Sequence, residues 1–152
     1  MQWFADQGHS VTGIDRNTDQ ARQRLPGAKL VCADLENSPW PFAVGGDAST
    51  FDAVIVTNYL WRPLLPMVLA SVAPAGVLLY ETFASGHEKF GRPARADFLL
   101  RPGELLSTFA SLQVVAYEHG LLENPPRCVQ RIAAIRPRNE PTPLLESTQC
   151  SL

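Results

Sequence analysis

Two short apolar runs that each end on a carboxylate, with a polar helix between them, constrain this chain more than any other feature. The first, Ser10-Val-Thr-Gly-Ile-Asp15, alternates as a strand. The polar stretch 16–25 follows, with helix-capping residues at Asn17 and Thr18, and Pro26-Gly27 breaks it. The second run, Lys29-Leu-Val-Cys-Ala-Asp34, repeats the pattern. Strand, helix and strand in this order read as a parallel pair joined by a helical crossover.

The rest of the chain continues the alternation. Residues 3–7 read as the end of a helix stopped at Gly8. Residues 35–50, with Pro39, Pro41 and Gly45-Gly46, read as a loop. The run Phe51-Asp-Ala-Val-Ile-Val-Thr57 suits a strand covered on both faces. Residues 62–72 read as a helix with Pro63 and Pro66 in its first turn, ended by Pro74-Ala-Gly76. Residues 77–82 read as another buried strand. The segment 83–100 is long and mixed, and loops of that length are more often functional than idle. A helix over 101–110 follows, then alternating strands over 113–119 and 128–136. The intervening Asn124-Pro125-Pro126 lets those two pair as an antiparallel hairpin. Residues 1–137 form one domain and 138–152 a flexible tail.

Composition narrows the function classes. The chain is 45% hydrophobic and 18% charged, with a formal charge of −2 and no block of lysine and arginine. That excludes a strongly basic nucleic-acid surface. No apolar run approaches the length of a membrane span, and the first residues lack a signal pattern. Cys32, Cys128 and Cys150 are odd in number and not in metal-ligand spacing, so a reduced, cytoplasmic setting without a metal is expected. Cys32 is expected to be an inert core residue.

Ligands of an open parallel sheet bind beyond the carboxyl ends of its strands. Three such ends carry polar groups: Asp15, Asp34 and the pair Asn58-Tyr59. An ionised Asp15 can accept both ribose hydroxyls of a nucleoside. Asp34 can accept from an exocyclic amine, with the Leu35 amide beside it. The competing reading is structural, since acids at strand ends also cap the next turn or helix. Two such ends in succession, followed by Thr57-Asn58-Tyr59, favour a ligand site.

With these residues in place, the chain resembles class I S-adenosylmethionine-dependent methyltransferases. The resemblance is carried by Val11-Thr-Gly-Ile-Asp15, by Val31-Cys-Ala-Asp34-Leu35 with Trp40-Pro-Phe42, and by Phe51 to Leu60. Ala75 to Thr82, Glu81-Thr-Phe-Ala, Glu88-Lys-Phe-Gly-Arg-Pro93 and Phe98 to Leu106 resemble a small bacterial subgroup similar to the tellurite-resistance type. The resemblance implies a Rossmann-like α/β sheet, mostly parallel, with an antiparallel C-terminal hairpin. It implies S-adenosyl-L-methionine as cofactor, held at Asp15, Arg16, Asp34, Leu35, Asn58 and Tyr59. Methyl transfer to a small-molecule acceptor follows, with no nucleic-acid or membrane partner.

The family's first strand and glycine-rich turn precede a helix that here begins at Met1. The expectation is an N-terminally truncated domain that lacks its usual first strand and binds cofactor weakly. The other outcome is a sheet that closes across the gap, by direct pairing of the neighbouring strands or with another chain. Tyr59, Glu81 and His87 are candidate catalytic groups, with Arg62, Glu88 and Arg92 beside them. For His87 a solvated loop position is the favoured alternative; Arg92 and Arg95 could bind an acidic substrate, with surface or loop-anchoring charges as the favoured alternative. Trp40, Trp61 and Tyr117 read as packing residues. Two further readings compete: a nicotinamide-dinucleotide-binding fragment, and a non-catalytic methyltransferase-like module acting through a homodimer surface.

Overall fold

The computed structural model describes residues 1–44 and 47–138. Gly45, Gly46 and the segment 139–152, which holds Cys150 and nearly all of the expected tail, lie outside the described residues. The elements are α1 (Gln2–Asp6), β1 (Thr12–Asp15), α2 (Asp19–Arg24), β2 (Lys29–Cys32), β3 (Ala43–Val44), β4 (Asp47–Ala48), β5 (Phe51–Thr57), α3 (Leu65–Ala70), β6 (Val72–Phe83), α4 (Glu104–Thr108), β7 (Gln113–Glu123) and β8 (Pro126–Ile135). Short 3₁₀ turns at Arg62–Leu64, His87–Lys89 and Ala96–Phe98 connect them. None of the described helices is long and apolar enough to cross a membrane.

β1 and β2 pair in parallel with Asp15 level with Cys32, as their shared pattern requires. β5 and β6 also pair in parallel. β6 pairs antiparallel with β8, and β8 with β7, so the four-stranded sheet runs β5-β6-β8-β7. The terminal hairpin is present as expected. β3 and β4 form a small antiparallel pair inside the stretch read as loop.

Among the described residues β1 and β5 do not pair, so the sheet does not close directly across the gap. β5 therefore hydrogen-bonds on one edge only. The expectation that β5 is covered on both faces is corrected here: Ile55 is 44% exposed and Leu79, its register partner on β6, is 38% exposed. The opposite face is the core. Leu78 and Tyr80 of β6 and Ile132 and Ala134 of β8 pack there with Leu65, Val68, Leu105 and Phe109.

β6 begins five residues earlier than its hydrophobic run suggests, and the α3 helix is correspondingly shorter. The register steps from Phe51↔Val72 to Ala53↔Val77, so Pro74-Ala75-Gly76 bulges out of the ladder. Ala75 takes φ +62°, and a Cβ on Gly76 would lie 2.8 Å from the Ala73 carbonyl oxygen and 3.0 Å from that of Phe51. Both obstacles are backbone and cannot rotate aside. Gly76→Ala is expected to destabilise the fold by about 1–3 kcal/mol, read from the midpoint of urea unfolding.

Candidate active site

β1 exits at Asp15 and β2 turns at Asp34. Asp15 is exposed; its Oδ1 accepts from the Asn17 amide at 2.9 Å, and its Oδ2 has no donor among the described residues. Asn17 in turn accepts from the Asp19 amide, so Asn17 rather than Thr18 makes the side-chain link to the start of α2. The structural and the ligand readings of Asp15 thus coexist, with one oxygen on each duty. Arg16 is exposed, and its carbonyl receives the Cys32 thiol at 3.2 Å. Cys32 is itself exposed, which corrects its expected core position. The reason is that β2 is an edge of a two-stranded sheet.

Asp34 organises a tight turn. Its Oδ1 accepts from the Glu36 amide and its Oδ2 from the Asn37 side chain. Asn37, then the Glu36 amide, hold its carboxyl below the usual range, against a smaller effect of burial. Leu35 packs against the core, and its amide has no acceptor among the described residues.

β5 ends at Thr57, and the next residue, Asn58, takes φ +53° and donates its amide to the Glu81 carbonyl. Asparagine tolerates this left-handed conformation better than most residues. The turn delivers Tyr59, whose carbonyl accepts from the buried Tyr80 hydroxyl at 2.9 Å. The Tyr59 hydroxyl is buried without a partner among the described residues. Burial first, then the charges of Glu36 and Asp34, push its pKa up, while Arg16 pulls it down. The turns after β2 and β5 therefore face one another although their strands belong to separate sheets.

An open cavity of about 230 Å³ lies where they meet. Glu36, Asn58, Tyr59, Thr82, Phe83 and Phe98 are among the residues that line it. Asn58 and Tyr59 were expected here. Glu36 was missed, although it follows Leu35 directly. Phe83, Pro93 and Phe98 come from the long 83–100 segment, whose length was the available signal.

Other candidates lie elsewhere. Glu81 lies one residue off the cavity wall; Arg131 holds it at 2.6 Å and Arg127 at 3.5 Å. His87 is 5% exposed, not a solvated loop residue. Its ring stacks on Phe83 at 4.2 Å between centroids, and its Nε2 lies 3.1 Å from the Arg92 carbonyl oxygen. It thus backs two parts of the cavity wall, Phe83 and the Arg92-Pro93 turn, without lining the cavity itself. Glu88 caps the Gly86 amide, and Arg92 is exposed. Arg95 pairs with Asp97. Arg62 is taken up entirely by Glu104 and two backbone carbonyls. Trp40 packs edge-on to Phe42, and Trp61 and Tyr117 pack against the core, as expected.

A Rossmann-like sheet ending in an antiparallel hairpin, with carboxylates at successive strand exits, is the class I S-adenosylmethionine-dependent methyltransferase fold, and this chain has it. Among solved structures it is similar to TehB from Haemophilus influenzae, at 14% identity and a TM-score of 0.67, over 89% of this chain and 52% of that one. It is also similar to the N-methyltransferase NodS from Bradyrhizobium japonicum in complex with S-adenosyl-L-homocysteine, at 15% identity and 0.62, over 85% and 67%. A methyltransferase from Methanosarcina mazei aligns at 14% and 0.62, over 90% and 86%. The chain spans about half the length of the first of these. No protein-family model matches the sequence, and no curated protein matches it.

Proposed function

We propose that this fold serves S-adenosylmethionine-dependent methyl transfer to a small-molecule acceptor. The observation that carries the reading is the meeting of the Asp34–Glu36 turn with Asn58-Tyr59 around one cavity. The cofactor supplies an electrophilic methyl group on a sulfonium. The nucleoside half fits the residues present. Asp15 offers an unengaged carboxylate oxygen to the ribose with Arg16 alongside, and the Asp34 carboxylate and Leu35 amide face the adenine edge. Asn58 and Tyr59 stand toward the methyl end, and neither Glu81 nor His87 lines the cavity there.

Among the described residues no comparable cradle serves the methionine half. No glycine-rich turn at a helix start occurs among the described residues, and β5 keeps an open edge where such a turn's strand would lie. Cofactor binding by these residues is accordingly weak. Thermal unfolding with S-adenosyl-L-homocysteine at millimolar concentration is expected to show a rise in midpoint, absent with NAD and absent in Asp15→Ala. A rise with NAD alone would overturn the cofactor assignment, and micromolar affinity by calorimetry would overturn the weak-binding assignment.

One observation favours a second reading. The exposed Ile55 and Leu79 beside the open edge of β5 suit a non-catalytic module or a homodimer surface. Sedimentation velocity separates the two readings: a concentration-dependent dimer abolished by Ile55→Lys supports the second. We place the protein in the cytoplasm on the free thiols of Cys32 and Cys128.

A further inference from the structure

We infer that the cavity between the β2 and β5 turns selects a small aromatic ligand carrying a positive charge and rejects an anionic one of the same shape. The inference rests on the proposed function and takes the acceptor to enter this cavity at the cofactor's methyl end, beside Asn58 and Tyr59. Three of its lining residues are aromatic, Tyr59, Phe83 and Phe98, and Leu60 and Pro93 complete the apolar wall. Its charged lining group is the Glu36 carboxylate, which is in no ion pair among the described residues. Asp34, on the same turn, adds a second negative charge that is felt at Tyr59.

The nearby guanidinium groups do not line the cavity; Arg92, beside the lining Pro93, is exposed and outside the wall. Arg62 is committed to Glu104 and to the Asp97 and Leu99 carbonyls. Arg95 lies over Phe98 at 5.3 Å from the ring centroid, is paired to Asp97, and does not line the cavity. Arg16 acts on Tyr59 from outside the wall. An organic cation therefore meets aromatic side chains and a carboxylate in no ion pair among the described residues, both attractive. A carboxylate or phosphate ester meets the same residues with no cation among those that line the cavity, and desolvation is then less well compensated. The cavity volume suits a single ring with a short substituent rather than a large ligand.

The test uses three probes of nearly equal shape: benzylammonium, benzyl alcohol and benzoate. Each is titrated without cofactor into the ¹⁵N-labelled protein, and the amides of Asn58, Thr82 and Phe83 are followed. Benzylammonium is expected to bind at least tenfold more tightly than benzoate, with benzyl alcohol between them. Glu36→Gln, at an exposed turn position, is expected to keep the wild-type unfolding midpoint and bring benzylammonium to the level of benzyl alcohol. Equal or tighter binding of benzoate overturns the inference. So does an unchanged preference in Glu36→Gln, or a failure of all three probes to shift these amides. Because cofactor is absent, a negative result with S-adenosyl-L-homocysteine leaves this outcome separate, and the reverse holds too.

Discussion

Replacing Arg62 with methionine is expected to lower stability by about 3 kcal/mol, between the cost of breaking a buried ion pair and that of an exposed one. The side chains are 31% and 15% exposed for Arg62 and Glu104, so neither limit applies. Arg62 makes four hydrogen bonds: Nε and Nη2 to the two Glu104 carboxylate oxygens at 2.7 and 2.9 Å, Nη1 to the Asp97 carbonyl and Nη2 to that of Leu99. Methionine keeps the stem but strands the two carbonyls and leaves the Glu104 carboxylate only the Arg101 amide as donor. In thermal unfolding, about 6–12 °C is the corresponding drop for a chain of this size. The double variant Arg62→Met with Glu104→Met should lose less than the sum of the singles, because it leaves no orphaned charge.

The same pair sets a pH dependence. Burial raises the Glu104 pKa, but the Arg62 hydrogen bond, the Arg101 amide and the adjacent guanidinium charges outweigh it, so the net shift is downward. A carboxylate depressed on folding contributes stability that is fully present above its unfolded value, about 4.3, and is lost as pH falls through the folded value. The gap between wild type and Arg62→Met should therefore be constant from neutral pH down to about 5 and shrink below about 4. Denaturant midpoints across that range check the sign. Arg62 also fixes the backbone on both sides of Phe98, so the variant should weaken ligand binding in the adjoining cavity.

Phe109→Ala is expected to cost about 3–5 kcal/mol, the largest single effect among these substitutions. Phe109 is fully buried beneath the sheet, with its ring 5.9 Å from that of Tyr80. The surrounding Leu78, Leu105 and Ile132 are held by two strands and a helix, so the space cannot collapse readily. Leu106, three residues earlier and 37% exposed, supplies the control: Leu106→Ala should cost less than about 1 kcal/mol. Urea unfolding with an unchanged m-value would assign both effects to the native core. Equal losses in the two variants would contradict the assigned burial of Phe109 and exposure of Leu106.

The strands other than β3 and β4 were legible in the sequence because each carries a short apolar run closed by a turn residue or an acid. Asp15 closes β1 and Asn58 follows β5 as expected, whereas β2 stops at Cys32, two residues short of Asp34, which sits in the turn beyond it. The terminal hairpin was legible for the same reason. Burial was not. Ile55 and Cys32 sit in runs that look like interior strands, yet both are exposed, because coverage depends on what packs from elsewhere in the chain. His87 errs in the opposite direction, a polar loop residue buried by its stack on Phe83.

By itself, then, the sequence determined the strand-helix order, the carboxylates at the strand exits and the α/β class, all of which are properties of neighbours along the chain. Only the tertiary structure decided that Glu36 joins Tyr59 at one cavity, that Glu81 and Arg62 are consumed by ion pairs, and that β5 keeps a bare edge. Those facts depend on contacts between residues tens of positions apart. A carboxylate or guanidinium carries no local mark of whether its partner will be another side chain or a ligand.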